Sequence, residues 1–289
     1  MAKPLILITG AHGQLGNELQ VLLRRLPMYD VVATDRDDLP IQDEAAVDAW
    51  FAQHQPAYVI NAAAYTAVDK AESDQDTAML INATGAGVLA AACNKHGARF
   101  IHVSTDYVFN GSSATPYTED QPTDPISVYG LTKQKGEELT RNNDPQSIII
   151  RTAWVYSEFG NNFVKTMLRL MKERPSISVV NDQIGAPTYA ADLAAAIIHI
   201  IDKAAWTPGI YHYSNQGRIS WYDFAVAIRD LSQSPCEVNP IPTSQYPTPA
   251  KRPAFSLLNT NKIQTTFQLS IPQWEQSLKR CLHQLNIIT

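Results

Sequence analysis

The chain has 289 residues, of which 45% are hydrophobic and 18% charged, so it can bury one large core or two closely joined ones. Its net charge of −5 offers no basic surface for nucleic acid or an anionic membrane. Cys93, Cys236 and Cys281 lack metal-like clustering and fit a reducing compartment. The apolar run after Met1 is too short for a signal sequence, and no stretch approaches the roughly 18 apolar residues of a membrane span. We therefore expect a cytoplasmic protein without nucleic-acid or membrane partners.

The first predicted strand, 5–9, runs into a glycine-rich turn that opens a predicted helix over 14–26. Gly10 allows a sharp exit from the strand, Gly13 lets backbone amides approach a pyrophosphate, and Gly16 lets the helix pack closely on the sheet. The spacing is GxxGxxG, not the GxGxxG of the dehydrogenase fingerprint, and a glycine turn without a ligand is the alternative. The pattern favours a nucleotide-binding turn, whose expected contacts are Gly10, His12, Gly13, Gln14, Leu15 and Gly16.

The second predicted strand, 30–34, ends at Asp35, about 20 residues after the last glycine, where a carboxylate can accept hydrogen bonds from the adenosine ribose. Arg36 follows at once, and a guanidinium there can pair with a 2′-phosphate. The acid favours NADH and the cation favours NADPH. The sequence therefore leaves the choice of coenzyme open, and use of both fits it.

Apolar runs and helical stretches continue to alternate up to residue 150. Strands are predicted at 57–60, 99–103 and 147–150, and helices near 43–54, 73–95 and 127–142. This alternation predicts an α/β fold of the Rossmann type, a doubly wound parallel sheet with helices on both faces. We assign residues 1–153 to this coenzyme-binding domain.

Beyond residue 150 the pattern changes. Strands are predicted near 177–180 and 209–213, and five prolines between Pro240 and Pro253 indicate an ordered loop rather than a helix. We expect a smaller lobe, mainly 154–289, that binds the substrate. The chain is expected to return to the sheet domain near 176–200 and 241–259.

Candidate catalytic residues lie after the fourth strand and at the start of a helix. Ser104-Thr105-Asp106 reaches the carboxyl edge of the sheet, where open α/β sheets bind ligands. Tyr129 and Lys133 are four residues apart and project from the same helix face. A cation close to a tyrosine favours the phenolate and brings a weak acid toward proton exchange at neutral pH. A packing role for this pair, and a turn-capping role for the threonine, are the alternatives.

Taken together, the motifs resemble those of the extended short-chain dehydrogenases/reductases, and most closely the reductases of dTDP-linked 4-keto-6-deoxysugars within that family. The likeness runs nearly end to end. Beside the glycine turn and Tyr129-Gly-Leu-Thr-Lys133, it includes Asn61-Ala-Ala-Ala-Tyr-Thr66, Val68-Asp-Lys-Ala-Glu72, Ser104-Thr-Asp-Tyr-Val-Phe109, Arg151-Thr-Ala-Trp-Val-Tyr156, Gly160-Asn-Asn-Phe163, Asn181-Asp-Gln-Ile-Gly-Ala-Pro-Thr188 and Pro247-Thr-Pro-Ala-Lys-Arg-Pro253.

The resemblance implies NADPH- or NADH-dependent reduction of a C4 ketone, giving dTDP-L-rhamnose. Tyr129 would protonate the keto oxygen, Thr105 would donate a hydrogen bond to it, and Lys133 would bias the phenol and hold the nicotinamide ribose. Further coenzyme contacts implied by the likeness are Ile41, Asn61, Ala62, Ala63, Ala64, Tyr65 and Thr66. Implied substrate contacts are Thr105, Asp106, Tyr107, Trp154, Asn162 and Arg252, although Trp154 is also suited to a domain junction and Arg252 to pinning the proline-rich loop.

The resemblance also raises the question of a metal. Some relatives hold Mg²⁺ at a dimer contact, with one carboxylate at the position of Glu18, but the matching later position here is Ala191, with Asp192 beside it. Hard cations need several oxygen ligands, so we expect Glu18 to be a solvated helix residue and no metal to be required. A homodimer is a further expectation that rests only on the likeness.

Two other functions stay open. A nucleotide-sugar 4,6-dehydratase or epimerase would use the same fold, but dehydration typically needs Asp-Glu after the threonine, and Tyr107 occupies the second place. A non-catalytic dinucleotide-binding regulatory subunit is the other alternative. The presence of Thr105, Tyr129 and Lys133 argues against it without excluding it.

Overall fold

A computed structural model describes residues 3–202 and 205–288 of the chain. Six parallel strands form a central sheet: β1 Leu5–Thr9, β2 Asp30–Thr34, β3 Tyr58–Asn61, β4 Arg99–Thr105, β5 Ile148–Thr152 and β10 Gly209–Tyr213. Their order across the sheet is β2-β1-β3-β4-β5-β10. The remaining strands are short and lie outside this sheet: β6 Val155–Tyr156, β7 Ser176–Val180, β8 Ile184–Gly185, β9 Thr188–Tyr189, β11 Ile219–Ser220 and β12 Glu237–Ile241.

Helices cover both faces of the central sheet, because successive side chains of a strand point to opposite faces. Ile6 and Ile8 pack in one cluster with the helices α1 and α8, while Leu7 packs on the other face with α2 and α5. The helices are α1 Gln14–Leu23, α2 Glu44–His54, α3 Val68–Ala71, α4 Gln75–Met79, α5 Ala86–His96, α6 Val128–Asn143, α7 Phe163–Glu173, α8 Ala190–Asp202, α9 Trp221–Leu231, α10 Asn261–Phe267 and α11 Trp274–Gln284. The predicted α/β class is confirmed.

The helix predicted over 73–95 is not uniform. α4 and α5 are joined by a π-helical turn, Leu80–Gly85, into one helical stretch of 22 residues, Gln75–His96. Contrary to the expectation from sequence, this stretch is long and apolar enough to cross a membrane. However, 56% of its most apolar window is buried inside the protein, where Ala90 and Cys93 pack on the sheet, so it is a core helix.

A second core belongs to a smaller lobe. It is built around Phe224, Trp274 and Leu278, and it joins α7, α9 and α11. Three small two-stranded sheets border it: β7 pairs with β12, β6 with β9, and β8 with β11. The proline-rich segment is largely loop, as predicted, although Pro240 lies inside β12 and the turn Thr243–Gln245 is 3-10 helical.

The chain crosses between the two cores more than once. After β6 has entered the small lobe, α8 returns to pack on α1, and β10 forms an edge of the central sheet. A further apolar cluster, which includes Phe109, Tyr117, Ala153 and Phe255, fills the junction. The division at residue 153 stays a prediction, and β10 lies outside both of the returns expected from the sequence.

Candidate active site

The glycine turn leaves no room for side chains at two positions. Gly10 has φ +74°, and a Cβ on it would come within 2.6 Å of the Ala63 nitrogen. A Cβ on Gly16 would come within 2.2 Å of the Gly10 carbonyl oxygen. At the start of α1, Gly13 offers no side-chain cap, so the first amides of the helix point outward without one. This is the arrangement expected of a pyrophosphate site.

The end of β2 faces this turn. Asp35 accepts hydrogen bonds from the backbone amides of His12, at 3.1 Å, and Arg36, at 2.9 Å. The Arg36 side chain is exposed and lies 3.4 Å from Asp37. A carboxylate and an accessible guanidinium therefore share this corner, and the geometry is compatible with either coenzyme.

The segment after β3 is tied to α6 by a residue that the sequence did not single out. The Tyr65 amide donates to Asn82 Oδ1 at 2.8 Å, and Asn82 Nδ2 donates to Thr132 Oγ1 at 3.0 Å. Asn82 lies in the π-helical turn, a feature that is frequent at functional sites but has no sequence signature that we recognised. It therefore anchors the backbone of Tyr65, just after the small residues 62–64, to α6.

Two predicted coenzyme contacts have mainly packing roles in this structure. Leu15 is buried in the core between α1 and the sheet. Ile41 is also buried and packs on the π-helical turn, where a Cβ on Gly85 would come within 2.7 Å of its side chain. Thr66, in contrast, is exposed at the start of the segment that leads to α3.

Two of the three predicted catalytic side chains, Thr105 and Tyr129, are neighbours in the structure. Thr105 ends β4, accepts from the Tyr107 amide at 3.2 Å and donates to Asp106 Oδ1 at 3.0 Å, so it also caps the turn Asp106–Val108. The Tyr129 phenol lies beside the Thr105 side chain, and its ring meets that of Tyr107 edge to face at 5.5 Å. Burial raises the pKa of Tyr129 to about 12, with the Thr105 hydroxyl acting in the opposite direction.

The Lys133 amine is directed toward β4. Its buried amine donates to the Val103 carbonyl oxygen at 2.7 Å and lies 3.4 Å from His102 Nε2. Burial lowers the pKa of Lys133 to about 8, against the raising effect of Glu137. Burial is the largest influence on the pKa of the Tyr129 phenol, and the expectation that the charge of Lys133 favours its phenolate stays a prediction.

Asp106 is an unusual neighbour for these groups. It is buried beside Thr105, and its Oδ2 has no hydrogen-bond partner among the described residues. Burial raises its pKa to about 6, against the lowering effect of the Ser256 and Thr105 hydroxyls. A group titrating in this range next to a proton donor is typical of active sites.

Helix α6 is held in place by polar contacts that sequence reasoning missed. At its start, Ser127 accepts from the Gly130 amide at 3.2 Å, and Glu72 accepts from the Val128 amide at 2.9 Å. One turn beyond Lys133, Glu137 forms a buried ion pair with Arg151. These contacts fix the helix that carries Tyr129 and Lys133.

The ion pair joins α6 to two strands of the sheet. Arg151 Nε and Nη2 donate to the two Glu137 oxygens at 2.9 and 2.7 Å, and the Ser104 hydroxyl donates to Glu137 Oε1 at 2.6 Å. Because Ser104 belongs to β4 and Arg151 to β5, both strands are bonded to the same carboxylate. In the sequence, a Glu four residues after Lys133, on the same helix face, is the signal that could have revealed this ion pair.

The predicted substrate contacts of the small lobe are occupied by internal interactions. Trp154 lies in a left-handed conformation, φ +48°, and stacks on Trp221 with ring centres 3.6 Å apart. Asn162 caps α7 by accepting from the Lys165 amide, and it donates to Gln14 Oε1 at 3.0 Å. Asn162 thus joins the small lobe to the glycine turn.

Arg252 is engaged as a clamp on the proline-rich loop. Its Nη1 and Nη2 donate to the two oxygens of Asp69 at 3.0 and 2.8 Å, and Nη1 also contacts the Thr248 hydroxyl at 2.6 Å. Of the two roles considered for Arg252, this geometry supports the pinning of the loop. Binding of a diphosphate by Arg252, like the other substrate contacts, stays a prediction.

The expected solvated character of Glu18 is wrong. The residue is 3% exposed, and its Oε1 has no hydrogen-bond partner within the described part of the chain. Burial and the neighbouring Glu158 raise the pKa of Glu18 to about 8. Asp192, also buried, is bound by Asn215, Ser277 and Arg280. Within residues 3–202 and 205–288, no cluster of three or more His, Cys, Asp or Glu could hold a metal ion.

Comparison with known proteins agrees with this geometry. Residues 4–287 match the family model described as the RmlD substrate binding domain. The dTDP-4-dehydrorhamnose reductase of Aggregatibacter actinomycetemcomitans is 45% identical over 95% of this chain and 97% of its own length.

Solved structures lead to the same family. The dTDP-4-dehydrorhamnose reductase of Bacillus anthracis, solved in complex with NADP, superposes with a TM-score of 0.94 at 40% identity, covering 98% of this chain and 100% of that one. The Clostridium acetobutylicum protein of the same name also gives a TM-score of 0.94, at 43% identity, with 98% and 99% covered. The chain therefore belongs to the RmlD substrate-binding-domain family, together with these dTDP-4-dehydrorhamnose reductases, and the resemblance found in its motifs is confirmed.

Proposed function

We propose that this protein reduces the C4 ketone of dTDP-4-dehydro-6-deoxy-L-mannose to give dTDP-L-rhamnose, the last step of dTDP-rhamnose synthesis, with NADPH or NADH as reductant. The observation that carries the proposal is that Tyr129 lies beside Thr105 at the carboxyl edge of the sheet, with Lys133 one turn along the same helix and bonded to β4 at Val103. The identity of the substrate is inferred from the relatives named dTDP-4-dehydrorhamnose reductase.

The residues present fit a dinucleotide. The uncapped start of α1 presents backbone amides suited to the pyrophosphate, and Gly10 and Gly16 keep that backbone accessible. Asp35 and Arg36 lie where the adenosine ribose or a 2′-phosphate would be recognised. Lys133 retains N–H donors, beyond the one used by Val103, for the ribose next to the nicotinamide. The complex of the Bacillus anthracis relative with NADP supports the same coenzyme class.

The reaction divides simply between coenzyme and protein. When bound, the reduced coenzyme supplies the hydride that reaches C4 of the sugar. As charge develops on the keto oxygen, Tyr129 gives up its phenolic proton to it and Thr105 donates a hydrogen bond. The Thr105 hydroxyl has one proton, which Asp106 Oδ1 accepts in this structure, so substrate binding must redirect it.

The small lobe would close over the sugar. Trp154 and Trp221 form a stacked indole pair at the junction, and apolar sugar faces pack well on indole. The clamp between Arg252 and Asp69 holds the proline-rich loop beside Tyr107. We assign substrate contacts to this side of the junction on the strength of these positions.

The remaining attributes follow from the same proposal. Cys93, Cys236 and Cys281 are free and buried, which suits a reducing cytoplasm. Burial and Glu158 raise the pKa of Glu18 to about 8, which favours its neutral form, and Asp192 is bound by Ser277 and Arg280, so we do not assign a metal to them. A homodimer stays a prediction.

One assay separates this proposal from its alternatives. Loss of absorbance by NADPH and NADH is followed with the dTDP-linked ketosugar, with the UDP- and GDP-linked analogues as controls. Stoichiometric oxidation with the dTDP compound is the expected result. Protein purified with tightly held NAD⁺, and no net oxidation, would favour an epimerase or dehydratase, whereas coenzyme binding without any turnover would favour a regulatory subunit.

A further inference from the structure

A buried chain of side chains links the end of β3 to the catalytic lysine. Asn61 and His102 are register partners on neighbouring strands, and both are buried. Asn61 Nδ2 lies 3.0 Å from His102 Nδ1, and His102 Nε2 lies 3.4 Å from Lys133 Nζ. His102 carried no signal in the sequence, yet it is the side chain through which the coenzyme-binding strand contacts Lys133.

The contacts of Asn61 determine which way its amide faces. Asn61 Oδ1 accepts from the Ala63 backbone amide at 3.1 Å and from the Thr9 hydroxyl at 2.8 Å. A backbone N–H can only donate, so the carboxamide oxygen must face Ala63 and the amino group must face His102. Asn61 Nδ2 therefore donates to His102 Nδ1.

This orientation fixes the tautomer of the histidine. Because Nδ1 accepts from Asn61, a neutral His102 ring carries its proton on Nε2, the nitrogen that faces Lys133. Complete burial, together with the nearby charge of Lys133, holds the pKa of His102 well below its usual range, so the ring stays neutral. The histidine thus presents an N–H, not a lone pair, to the lysine.

An ammonium group has no lone pair with which to accept that N–H. The titratable groups that face Lys133 are the neutral His102 ring from β4 and Glu137 from its own helix, and its amine donates to the Val103 carbonyl oxygen. With the opposite tautomer, His102 Nε2 would accept from Lys133 and hold the amine in the wall of the site. The tautomer inferred from the Asn61 contacts cannot do so, and Lys133 keeps donors beyond the one that Val103 accepts.

We propose that His102 is a positioning residue for Lys133 and that Asn61 sets the tautomer of His102. The imidazole then turns an N–H toward the Lys133 amine and does not accept a hydrogen bond from it. The remaining N–H donors of Lys133 are thereby available to the coenzyme and the substrate. This use of the donors rests on the proposed function, because it takes Lys133 as a coenzyme ligand. The tautomer itself is a property of the unliganded protein and can be tested without turnover.

The direct test is the imidazole ¹⁵N spectrum of the protein between pH 5.5 and 9, with the His102 signals assigned by their loss in His102→Gln. The expected result is a neutral ring with protonated Nε2 and unprotonated Nδ1 across the whole range. A protonated Nδ1, or an imidazolium that titrates within this range, would overturn the proposal. Where His102→Gln folds poorly, through-space NMR contacts with the neighbouring Phe100 ring assign the same signals in the unaltered protein.

Asn61→Asp is the reversing variant. Its second carboxylate oxygen would accept from Nδ1–H, which turns the His102 lone pair toward Lys133 and also stabilises the ammonium. We expect Nδ1 to become protonated, the alkaline limb of kcat/KM to move up by about one pH unit, and NADPH binding to weaken about tenfold. An unchanged alkaline limb in a variant whose tautomer has reversed would contradict the positioning role.

Thr9→Val is the matched control. It removes one donor to Asn61 Oδ1 but leaves the Ala63 amide, which alone suffices to orient the carboxamide. We expect some loss of stability with the His102 tautomer and the pH profile unchanged. If the ¹⁵N spectra agree with expectation and no ketosugar is reduced, the proposed function fails and the tautomer assignment stands. If turnover is present and the tautomer is wrong, only this inference fails.

Discussion

Gly10 lies so close to Ala63 that a Cβ on the glycine would come within 2.6 Å of the alanine nitrogen. The contact joins the turn after β1 to the segment after β3, two backbone stretches from which we expect coenzyme contacts. Gly10 also has φ +74°, in the left-handed region that side chains disfavour. Two separate physical reasons therefore require glycine at this position.

Gly10→Ala is expected to abolish NADPH binding, because relief of the contact must move one of the two backbones. Gly97 provides a matched control: it has φ +73° at the end of α5, and nothing lies within 4 Å of its added Cβ. Gly97→Ala should cost about 1 kcal/mol of stability, because an alanine side chain disfavours the left-handed backbone conformation, and it should leave the affinity for NADPH unchanged. Titration calorimetry with NADPH and urea unfolding measure the two effects. Equal behaviour of the two variants would show that the contact with Ala63 is unimportant.

The buried pair of Glu137 and Arg151 gives a second prediction. The side chains are 6% and 3% exposed, and removal of the acid leaves an uncompensated buried guanidinium. Glu137→Gln should lower the free energy of unfolding by about 3 kcal/mol. Glu173→Gln, which breaks an exposed pair with Arg169, should cost less than about 0.5 kcal/mol. Urea unfolding of both variants at pH 7 checks this, and a small loss in Glu137→Gln would argue against a dry network under α6.

The raised pKa of Glu18 predicts a pH-dependent stability. Folding raises the pKa of the Glu18 carboxyl from 4.5 to about 8. Between these two pH values the folded state therefore keeps a proton that the unfolded state has released. Stability is therefore lost as pH rises from about 4.5 through 8. Glu18→Gln stays neutral, and its advantage over the unaltered protein should grow by at least about 1.4 kcal/mol between pH 5 and 9.

The control for Glu18 is Glu275→Gln, an exposed acid in the first turn of α11. It removes the same charge, but its effect on stability should not vary between pH 6 and 9. Thermal melts across this range compare the three proteins. A Glu18→Gln difference that is constant with pH would mean that the carboxyl is solvated or stably paired after all.

The sequence was sufficient for the fold and the location of the site. The alternation of apolar runs and helical stretches predicted β1 to β5 to within a residue or two, because buried parallel strands are short and almost wholly apolar. Thr105 and Tyr129 were predicted to meet because strand ends and helix starts gather at one edge of such a sheet. The local pattern of apolar and polar residues therefore suffices to predict the strands and the edge of the sheet at which Thr105 and Tyr129 lie.

The sequence was insufficient where tertiary burial decides. Glu18 is polar and follows a glycine turn, so it resembles a surface residue, but α8 and the small lobe cover it. The direction of the Lys133 amine depends on the Val103 carbonyl, which spacing along a helix cannot reveal. Asn82 and His102 matter only through partners far away in sequence, Thr132 and Asn61.

The central claim is that the Tyr129 phenol supplies the proton to the keto oxygen. Tyr129→Phe keeps the ring, and its edge-to-face contact with Tyr107, but removes the acid. Tyr222→Phe, a change on α9 at a tyrosine that packs against the small-lobe core, is the control and should turn over normally.

The decisive measurement is kcat for the dTDP-linked ketosugar in Tyr129→Phe, alongside its Kd for NADPH. The loss of a general acid predicts a kcat at least about 100-fold lower, with the Kd for NADPH within about threefold of that of the unaltered protein. A Tyr129→Phe enzyme that retains near-native turnover would contradict the account.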